Sequence, residues 1–236
     1  MRKSHLMAAA AALALATGTG AVASTIVLDF EGINAAYPSP GSAFILDFYN
    51  GGTSSDGTSG PNFGVSFSSN ARAHCLNTPG VTCSNTSRGG LGNPNSQQGG
   101  LLFLEGAQTF MNVSAGFTTG FSFFYTAPFN TGSVSVYDGL DGTGDLLATL
   151  TMPTTASACD ASFNADYCPF VPIGVTFMGA AQSVAFAGVN EGIVFDDVTF
   201  GSATPGNGVG VIPLPAGLPL LLGGLALLCL LRRRAA

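Results

Sequence analysis

The chain has 236 residues with abundant phenylalanine and no tryptophan, enough apolar material for one domain with a real core. Its charge is unevenly spread: between the two termini, Arg72 and Arg88 stand against all thirteen carboxylates, a net charge of −11. Such a surface repels phosphate backbones, which argues against a nucleic-acid partner and favours divalent cations or neutral ligands.

Residues 1–23 have the pattern of a secretory signal peptide. Arg2 and Lys3 form a charged n-region, residues 6–16 form an apolar h-region, and residues 21–23 (AVA) form a small-x-small cleavage site. The mature chain is therefore expected to begin at Ser24.

Residues 24–201, which we call the ectodomain, are predicted to be all-β. Short apolar or alternating segments are separated by glycine and proline, and no helical period appears. Many short strands with this spacing favour a jelly-roll-like β-sandwich. Segment 68–100 is polar and is predicted to be irregular. The predicted strands are 27–30, 63–67, 101–104, 121–125, 134–137, 146–150, 175–177, 184–189 and 193–200.

The ectodomain cysteines form two close pairs, separated by eight and nine positions. Four cysteines allow three connectivities, and local pairing is favoured because each pair falls within one polar segment. We therefore predict the disulfides Cys75–Cys83 and Cys159–Cys168. Zinc is the rival ligand, but His74 is the only nearby histidine and an exported chain is oxidised.

Three acidic clusters are candidate cation sites, because crowded carboxylates are the oxygen ligands that calcium prefers. Asp29 and Glu31 follow the first predicted strand, and Asp196 and Asp197 lie in the last one. First and last strands are often neighbours in jelly rolls, so these four residues are predicted to converge on calcium. The third cluster is Asp138, Asp141 and Asp145, in a glycine-rich turn where solvated carboxylates are the simpler interpretation.

The C-terminal end has three parts in fixed order. After a predicted linker, 202–210, comes the short motif Ile212, Pro213, Leu214, Pro215 and Ala216. An uncharged run over 214–231 would span about 27 Å as a helix, which suits a thin membrane. Arg232, Arg233 and Arg234 follow and would stay cytoplasmic. A buried core helix is the alternative, but such a helix would have a polar face.

Taken together, motif, apolar run and arginine cluster make residues 211–236 resemble the PEP-CTERM class of bacterial sorting signals, in its VPLPA-CTERM form. Ile212 replaces the usual valine. The resemblance implies processing by an exosortase in the inner membrane, with an anchored precursor and a final location at the cell surface or outside the cell. The pieces DFEGI, SVSVYDGLDGTGDLLATL and GIVFDDVTF also resemble exported proteins of this class, which implies a β-sandwich module.

Two functions fit these observations. The first is a structural protein of an exopolysaccharide or biofilm layer. The alternative is a carbohydrate-binding module stabilised by calcium, and a pocket with a tyrosine face and convergent Asn or Asp would favour it. A glycoside hydrolase is a remote alternative that needs only two carboxylates. We expect no enzyme, because the ectodomain has one histidine, His74, and no G-x-S-x-G motif.

Overall fold

A computed structural model describes residues 25–35, 37, 41–77, 83, 93, 96, 98–155 and 167–206. The predicted signal peptide and the predicted sorting signal lie outside these residues. Within them, no helix is long and apolar enough to cross a membrane. The one helical element among the described residues is a 3-10 turn, Leu140–Gly142. The strands are β1 (Ile26–Leu28), β2 (Ser42–Phe44), β3 (Val65–Phe67), β4 (Ala71–Cys75), β5 (Gly99–Phe103), β6 (Gln108–Phe117), β7 (Gly120–Thr126), β8 (Gly132–Tyr137), β9 (Leu146–Met152), β10 (Val171–Thr176), β11 (Ala181–Ala187) and β12 (Val194–Phe200).

The strands form two antiparallel sheets. One sheet has the order β10-β7-β12-β5-β4-β2, with β1 also paired to β12, and the other has the order β3-β6-β11-β8-β9. The main core cluster holds apolar side chains from both sheets, and a smaller cluster contains Leu76, Leu102, Tyr167 and Val194. The all-β, sandwich-like architecture is therefore confirmed, while the jelly-roll connectivity stays a prediction.

Phenylalanine fills the space between the sheets. Phe195 of the first sheet lies edge-on to Phe186 of the second, with ring centroids 4.9 Å apart, and Phe123 approaches the same ring at 6.1 Å. All three side chains are fully buried. Each such ring contributes roughly 1.5–3 kcal/mol relative to an exposed one, and edge-on pairs add further stability.

Each predicted strand overlaps an observed strand, but three strands were missed. β4 lies inside the segment predicted to be irregular, which is a correction: Ala71 and Ala73 face the core and alternate with polar residues. Because alanine is small, the two-residue burial period of β4 is not visible in the sequence. β2 has only three residues. In β6 the buried positions are Thr109, Met111, Val113 and Phe117. The polar Thr109 and the intervening Asn112 obscure the two-residue period of the first three.

The Cys75–Cys83 disulfide is confirmed, with an S–S distance of 2.01 Å. It joins the end of β4 to the polar segment that follows, as the close spacing predicts. Cys168 is also disulfide-bonded. Cys159 lies outside the described residues, so its pairing with Cys168 stays a prediction.

The first residues of the predicted linker pack against the sandwich. Ser122 Oγ in β7 donates to the carbonyl of Ser202 at 3.0 Å, and the amide of Gly206 donates to Thr199 Oγ1 at 2.9 Å. Hydrogen bonds thus hold the chain up to Gly206 against β7 and β12. Residues 207–210 lie outside the described part.

Candidate functional site

The site begins where the first and last strands meet. Leu28 of β1 pairs with Val198 of β12, so Asp29 follows β1 beside the acidic pair of β12. The predicted adjacency of these strands is confirmed. Against β7, the register of β12 shifts between Asp196 and Thr199, which leaves one extra residue on β12. Such a β-bulge breaks the regular alternation of side chains.

The bulge brings two neighbouring carboxylates to one hydroxyl. Asp197 has a φ of +45°, and both aspartates are fully buried. Ser96 Oγ lies 2.9 Å from Asp196 Oδ2 and 3.1 Å from Asp197 Oδ1, and Asn93 Nδ2 donates to Asp197 Oδ2 at 2.8 Å. A serine hydroxyl has one hydrogen, so it can serve only one of the two carboxylates at a time.

Burial is the main reason that the pKa of Asp196 lies well above its ordinary range, and the neighbouring Asp197 raises it further. Hydrogen bonds from the Asp197 amide and from Ser96 act in the opposite direction. Desolvation penalises the charged form, and two adjacent carboxylates repel when both are ionised. The pair is therefore an electrostatically costly element of the core.

Asp29 and Glu31 lie in the turn that follows β1, next to this pair. Phe30, between them, has a positive φ of +56°. Glu31 Oε1 accepts hydrogen bonds from the amides of Gln98 and Gly99 at 2.7 and 3.0 Å. A side chain at Gly99 would overlap the carbonyl of Phe30, so only glycine allows this approach. Burial raises the pKa of both carboxyls, whereas the Gly99 and Gln98 amides act to lower the pKa of Glu31 and the Glu31 amide acts to lower that of Asp29.

Tyr49 organises the other side of the site. Its hydroxyl accepts a hydrogen bond from the Phe30 amide at 2.7 Å and acts to lower the pKa of Asp29, against the effect of burial. Its ring stacks on Phe63, with centroids 6.1 Å apart and an interplanar angle of 15°, and lies edge-on to Phe48 at 5.1 Å. Burial, and then the charge of Asp29, raises the pKa of Tyr49 well above its ordinary value.

These groups line a cleft of about 340 Å³, which we call the acidic cleft. Asp29 and Glu31, both half-buried, provide its polar groups, and the half-buried ring of Phe63 provides an aromatic wall. Its lining is completed by Val27, Phe48, Tyr49 and Pro61. The cleft thus combines hydrogen-bond acceptors with an apolar ring surface.

The structure brings Asp29, Glu31, Asp196 and Asp197 to one end of the sandwich. The charges of Glu31 and Asp196 act on each other, and both act on Tyr49. Among the described residues, however, no three His, Cys, Asp or Glu side chains form a group that could hold a metal ion. Calcium binding by these four residues stays a prediction.

The carboxylates of the third cluster have structural partners in their turn. Asp138 Oδ1 accepts a hydrogen bond from the Asp145 amide at 2.6 Å. Asn112 holds Asp141 from both sides, because its amide group donates to Asp141 Oδ1 at 2.6 Å and its Oδ1 accepts from the Asp141 amide at 2.8 Å. These contacts stabilise the 3-10 turn and the φ of +53° at Asp141.

Sequence reasoning found the acids but missed their partners. Tyr49 and Phe63 are far from Asp29 in the chain, and Ser96 lies about a hundred positions before Asp196. One local signal was available: the sequence DFYN at 47–50 places adjacent aromatics between polar turn residues.

No known protein family and no curated protein matches this sequence. Solved structures do match. A family 6 carbohydrate-binding module is 20% identical and has a TM-score of 0.33, with 57% of this chain and 85% of that chain covered. The K2 cleaved adhesin domain of Lys-gingipain is 12% identical and has a TM-score of 0.39, with 75% and 99% covered. At such low TM-scores, neither similarity supports a conclusion about the function of this chain.

Proposed function

We propose that the ectodomain binds neutral saccharide in the acidic cleft. The observation that carries the proposal is the cleft itself, in which the carboxylates of Asp29 and Glu31 lie in one concave site with Phe63. A tyrosine-backed pocket with converging carboxylates is the feature that distinguishes a binding module from a smooth structural protein.

The chemistry of the cleft suits a sugar ring. Sugar hydroxyls donate hydrogen bonds to carboxylate oxygens, and such charge-assisted bonds are among the stronger ones in proteins. The C–H face of a sugar can pack on the ring of Phe63. A volume of about 340 Å³ is at the small end of ligand pockets, which suits a short segment of a glycan. The ectodomain charge of −11 favours a neutral ligand.

We further propose that the chain is exported, processed by an exosortase and retained at the cell surface or in the surrounding matrix. The support for this is the sequence of residues 1–23 and 211–236, with its motif, apolar run and arginine cluster. A saccharide-binding ectodomain delivered in this way would contribute structurally to an exopolysaccharide or biofilm layer.

A glycan-array screen of the purified protein with neutral oligosaccharides tests the proposal, followed by calorimetric titration with the best ligand. Phe63→Ala removes the aromatic wall and should weaken binding about fivefold or more, since stacking of this kind contributes about 1 kcal/mol or more. Asp29→Asn and Glu31→Gln should each weaken binding as well, because a neutral amide accepts a weaker hydrogen bond.

Phe129→Ala is the matched control. Phe129 is 60% exposed and does not line the cleft, so its loss removes an aromatic ring without touching the site. Equal effects of Phe63→Ala and Phe129→Ala, or an array without any neutral ligand, would contradict the proposal. New reducing ends produced from a bound ligand would instead support the glycoside hydrolase alternative.

A further inference from the structure

A second, smaller cleft lies over β2 and β4, at the position of Arg72. We infer that Arg72 is a receptor for the carboxylate of an acidic sugar, such as a uronate residue carried by a polysaccharide. The cleft measures about 130 Å³ and is lined by Phe44, Ser69, Asn70, Arg72, Leu104 and Glu105.

The guanidinium of Arg72 is held in a fixed position. Its Cζ atom lies 3.8 Å from the centre of the Phe44 ring, and Nη1 donates to Ser42 Oγ at 3.2 Å. Arginine presents five N–H donors in a planar fork that matches a carboxylate bidentately. Stacking on Phe44 orders that fork before any ligand arrives, which lowers the entropy cost of binding.

The electrostatic setting of Arg72 is unusual. The ectodomain has thirteen carboxylates and two arginines, so ion pairs would be the ordinary use of an arginine. Within the described part of the chain, the contacts of the Arg72 side chain are instead a neutral hydroxyl and an aromatic ring. Its remaining donors are therefore available in the cleft.

Hydrogen bonds of Asn70 join the segments that line this cleft. Asn70 Nδ2 donates to the carbonyls of Glu105 and Gln108, both at 2.9 Å, and Asn70 Oδ1 accepts from Thr109 Oγ1 at 2.9 Å. These bonds join the turn before β4 to the turn between β5 and β6. The position of Arg72 relative to Glu105 is thus set by the fold rather than by the ligand.

The composition of the cleft selects the ligand. It has one cation, Arg72, and one exposed carboxylate, Glu105. A uronate matches this pair, because it carries one carboxylate for Arg72 next to hydroxyls that can donate to Glu105. A peptide with several acids would be repelled by Glu105 and by the net charge of −11. The small volume suits one sugar residue rather than a long chain.

This site goes beyond the proposed binding of neutral saccharide, since no residue lines both clefts. The test uses the full chain in a detergent without a sugar headgroup, titrated calorimetrically with the methyl glycoside of galacturonic acid, which carries one carboxylate, and with its methyl ester. The two ligands share one sugar ring and differ in charge. We expect the acid to bind about tenfold more tightly than the ester, and Arg72→Gln to abolish this preference.

Three further variants test the separate contributions of Arg72, Phe44 and Glu105 to this preference. Arg72→Lys keeps the charge but loses the planar fork, so it should retain only part of the preference. Phe44→Leu keeps the bulk of the side chain but loses the stacking surface, and should weaken binding of the acid. Glu105→Gln removes a repelling charge and should leave the preference for the acid intact or enlarge it. Thermal unfolding of each variant verifies that the fold is retained.

Equal affinity for the acid and its ester, or a preference that survives Arg72→Gln in a folded protein, would overturn the inference. Equal or tighter binding of a Glu-rich peptide would overturn the assignment to a sugar. Phe129→Ala, outside both clefts, should leave the preference for the acid unchanged. Failure of the neutral-saccharide proposal would be seen in the effects of Phe63→Ala on neutral ligands, and so is distinguishable from failure here.

Discussion

Two adjacent carboxylates, Asp196 and Asp197, are fully buried and share the single hydroxyl hydrogen of Ser96. A buried carboxylate normally needs a full set of donors or a cation, because desolvation penalises its charge. Asp29 and Glu31 add two further half-buried acids nearby. The ionisation state of this group therefore affects the stability of the whole sandwich.

The first prediction concerns pH. Burial raises the pKa of Asp29, Glu31 and Asp196 in the folded protein, so the folded state holds protons that the unfolded chain has lost. Their contribution to stability is fully present below the unfolded pKa values, about 4, and is lost as the pH rises through the folded values. Melting temperatures measured from about pH 4 upward should fall from this cause.

The variant Asp196→Asn tests whether Asp196 causes the fall of the melting temperature with rising pH. Asparagine can still accept a hydrogen bond but cannot ionise, so the melting temperature of the variant should depend less steeply on pH than that of the unchanged protein. Phe129→Ala, at an exposed position outside the site, is the control and should leave the slope unchanged. A slope that is the same in the Asp196 variant would contradict the prediction.

The second prediction concerns calcium. If the four acids bind it with the affinity usual for extracellular modules, about 5 mM calcium should raise the melting temperature. Magnesium at equal ionic strength separates a site from screening. Asp29→Asn together with Glu31→Gln should abolish the shift; equal shifts with both ions would show general screening by surface charge.

At the scale of elements, the site depends on how closely β5 approaches the turn after β1. Gly99 begins β5, its amide donates to Glu31, and its Cα faces the carbonyl of Phe30. The shape of the acidic cleft therefore depends first on the contact between the backbones of Gly99 and Phe30, and then on the side chains that line the cleft.

The third prediction tests this contact. Gly99→Ala introduces a methyl group that overlaps a backbone carbonyl, so it should destabilise the fold by about 3 kcal/mol and weaken binding in the acidic cleft. Gly32→Ala is the control: its φ is +70° but its surroundings are open, so it should cost about 1 kcal/mol from backbone strain alone. Chemical denaturation compares the two, and equal costs would mean that the contact is unimportant.

The fourth prediction concerns the disulfide that follows β4. Cys75 and Cys83 are separated by eight positions, and closing so short a loop stabilises a fold by about 2.5 kcal/mol through the unfolded state. The double replacement Cys75→Ser, Cys83→Ser should lower the free energy of unfolding by about that amount. Non-reducing peptide mapping of the unchanged protein tests Cys159–Cys168 in the same experiment; cross-paired peptides would refute it.

At the scale of the molecule, the described part of the chain forms an acidic sandwich with an aromatic core, and the acidic cleft and the smaller cleft at Arg72 lie on its surface. Both clefts lie at positions where turns meet strands, which is where rigid sandwiches usually carry binding sites. Two clefts of different chemistry on one body would let a matrix protein contact both neutral and acidic sugars.

The fifth prediction concerns delivery. Replacing Pro213, Leu214 and Pro215 with alanine should block C-terminal processing and leave a longer precursor in the inner membrane. Immunoblotting of membrane and extracellular fractions measures both size and location. Replacing Pro205, just before the motif, is the matched control and should leave processing intact. A triple variant with unchanged size and location would rule out the proposed sorting signal.

The sequence by itself determined the features that depend on local patterns. A two-residue period reveals a half-buried strand wherever the residues are large enough, as at 63–67, and close cysteine spacing indicates a local disulfide. The two predicted end signals rest on equally local features, namely contiguous charge, an apolar run and a short motif, and they stay predictions. The acidic candidates were also visible as residues.

Only the tertiary structure decided what surrounds those acids. A bulge in β12 places Asp196 and Asp197 on one hydroxyl, although strand alternation would separate them. Tyr49 reaches Phe30 across nineteen positions, and Arg72 reaches Ser42 across thirty. Such contacts depend on strand register and on backbone approach between distant segments, and neither leaves a periodic signal in the sequence.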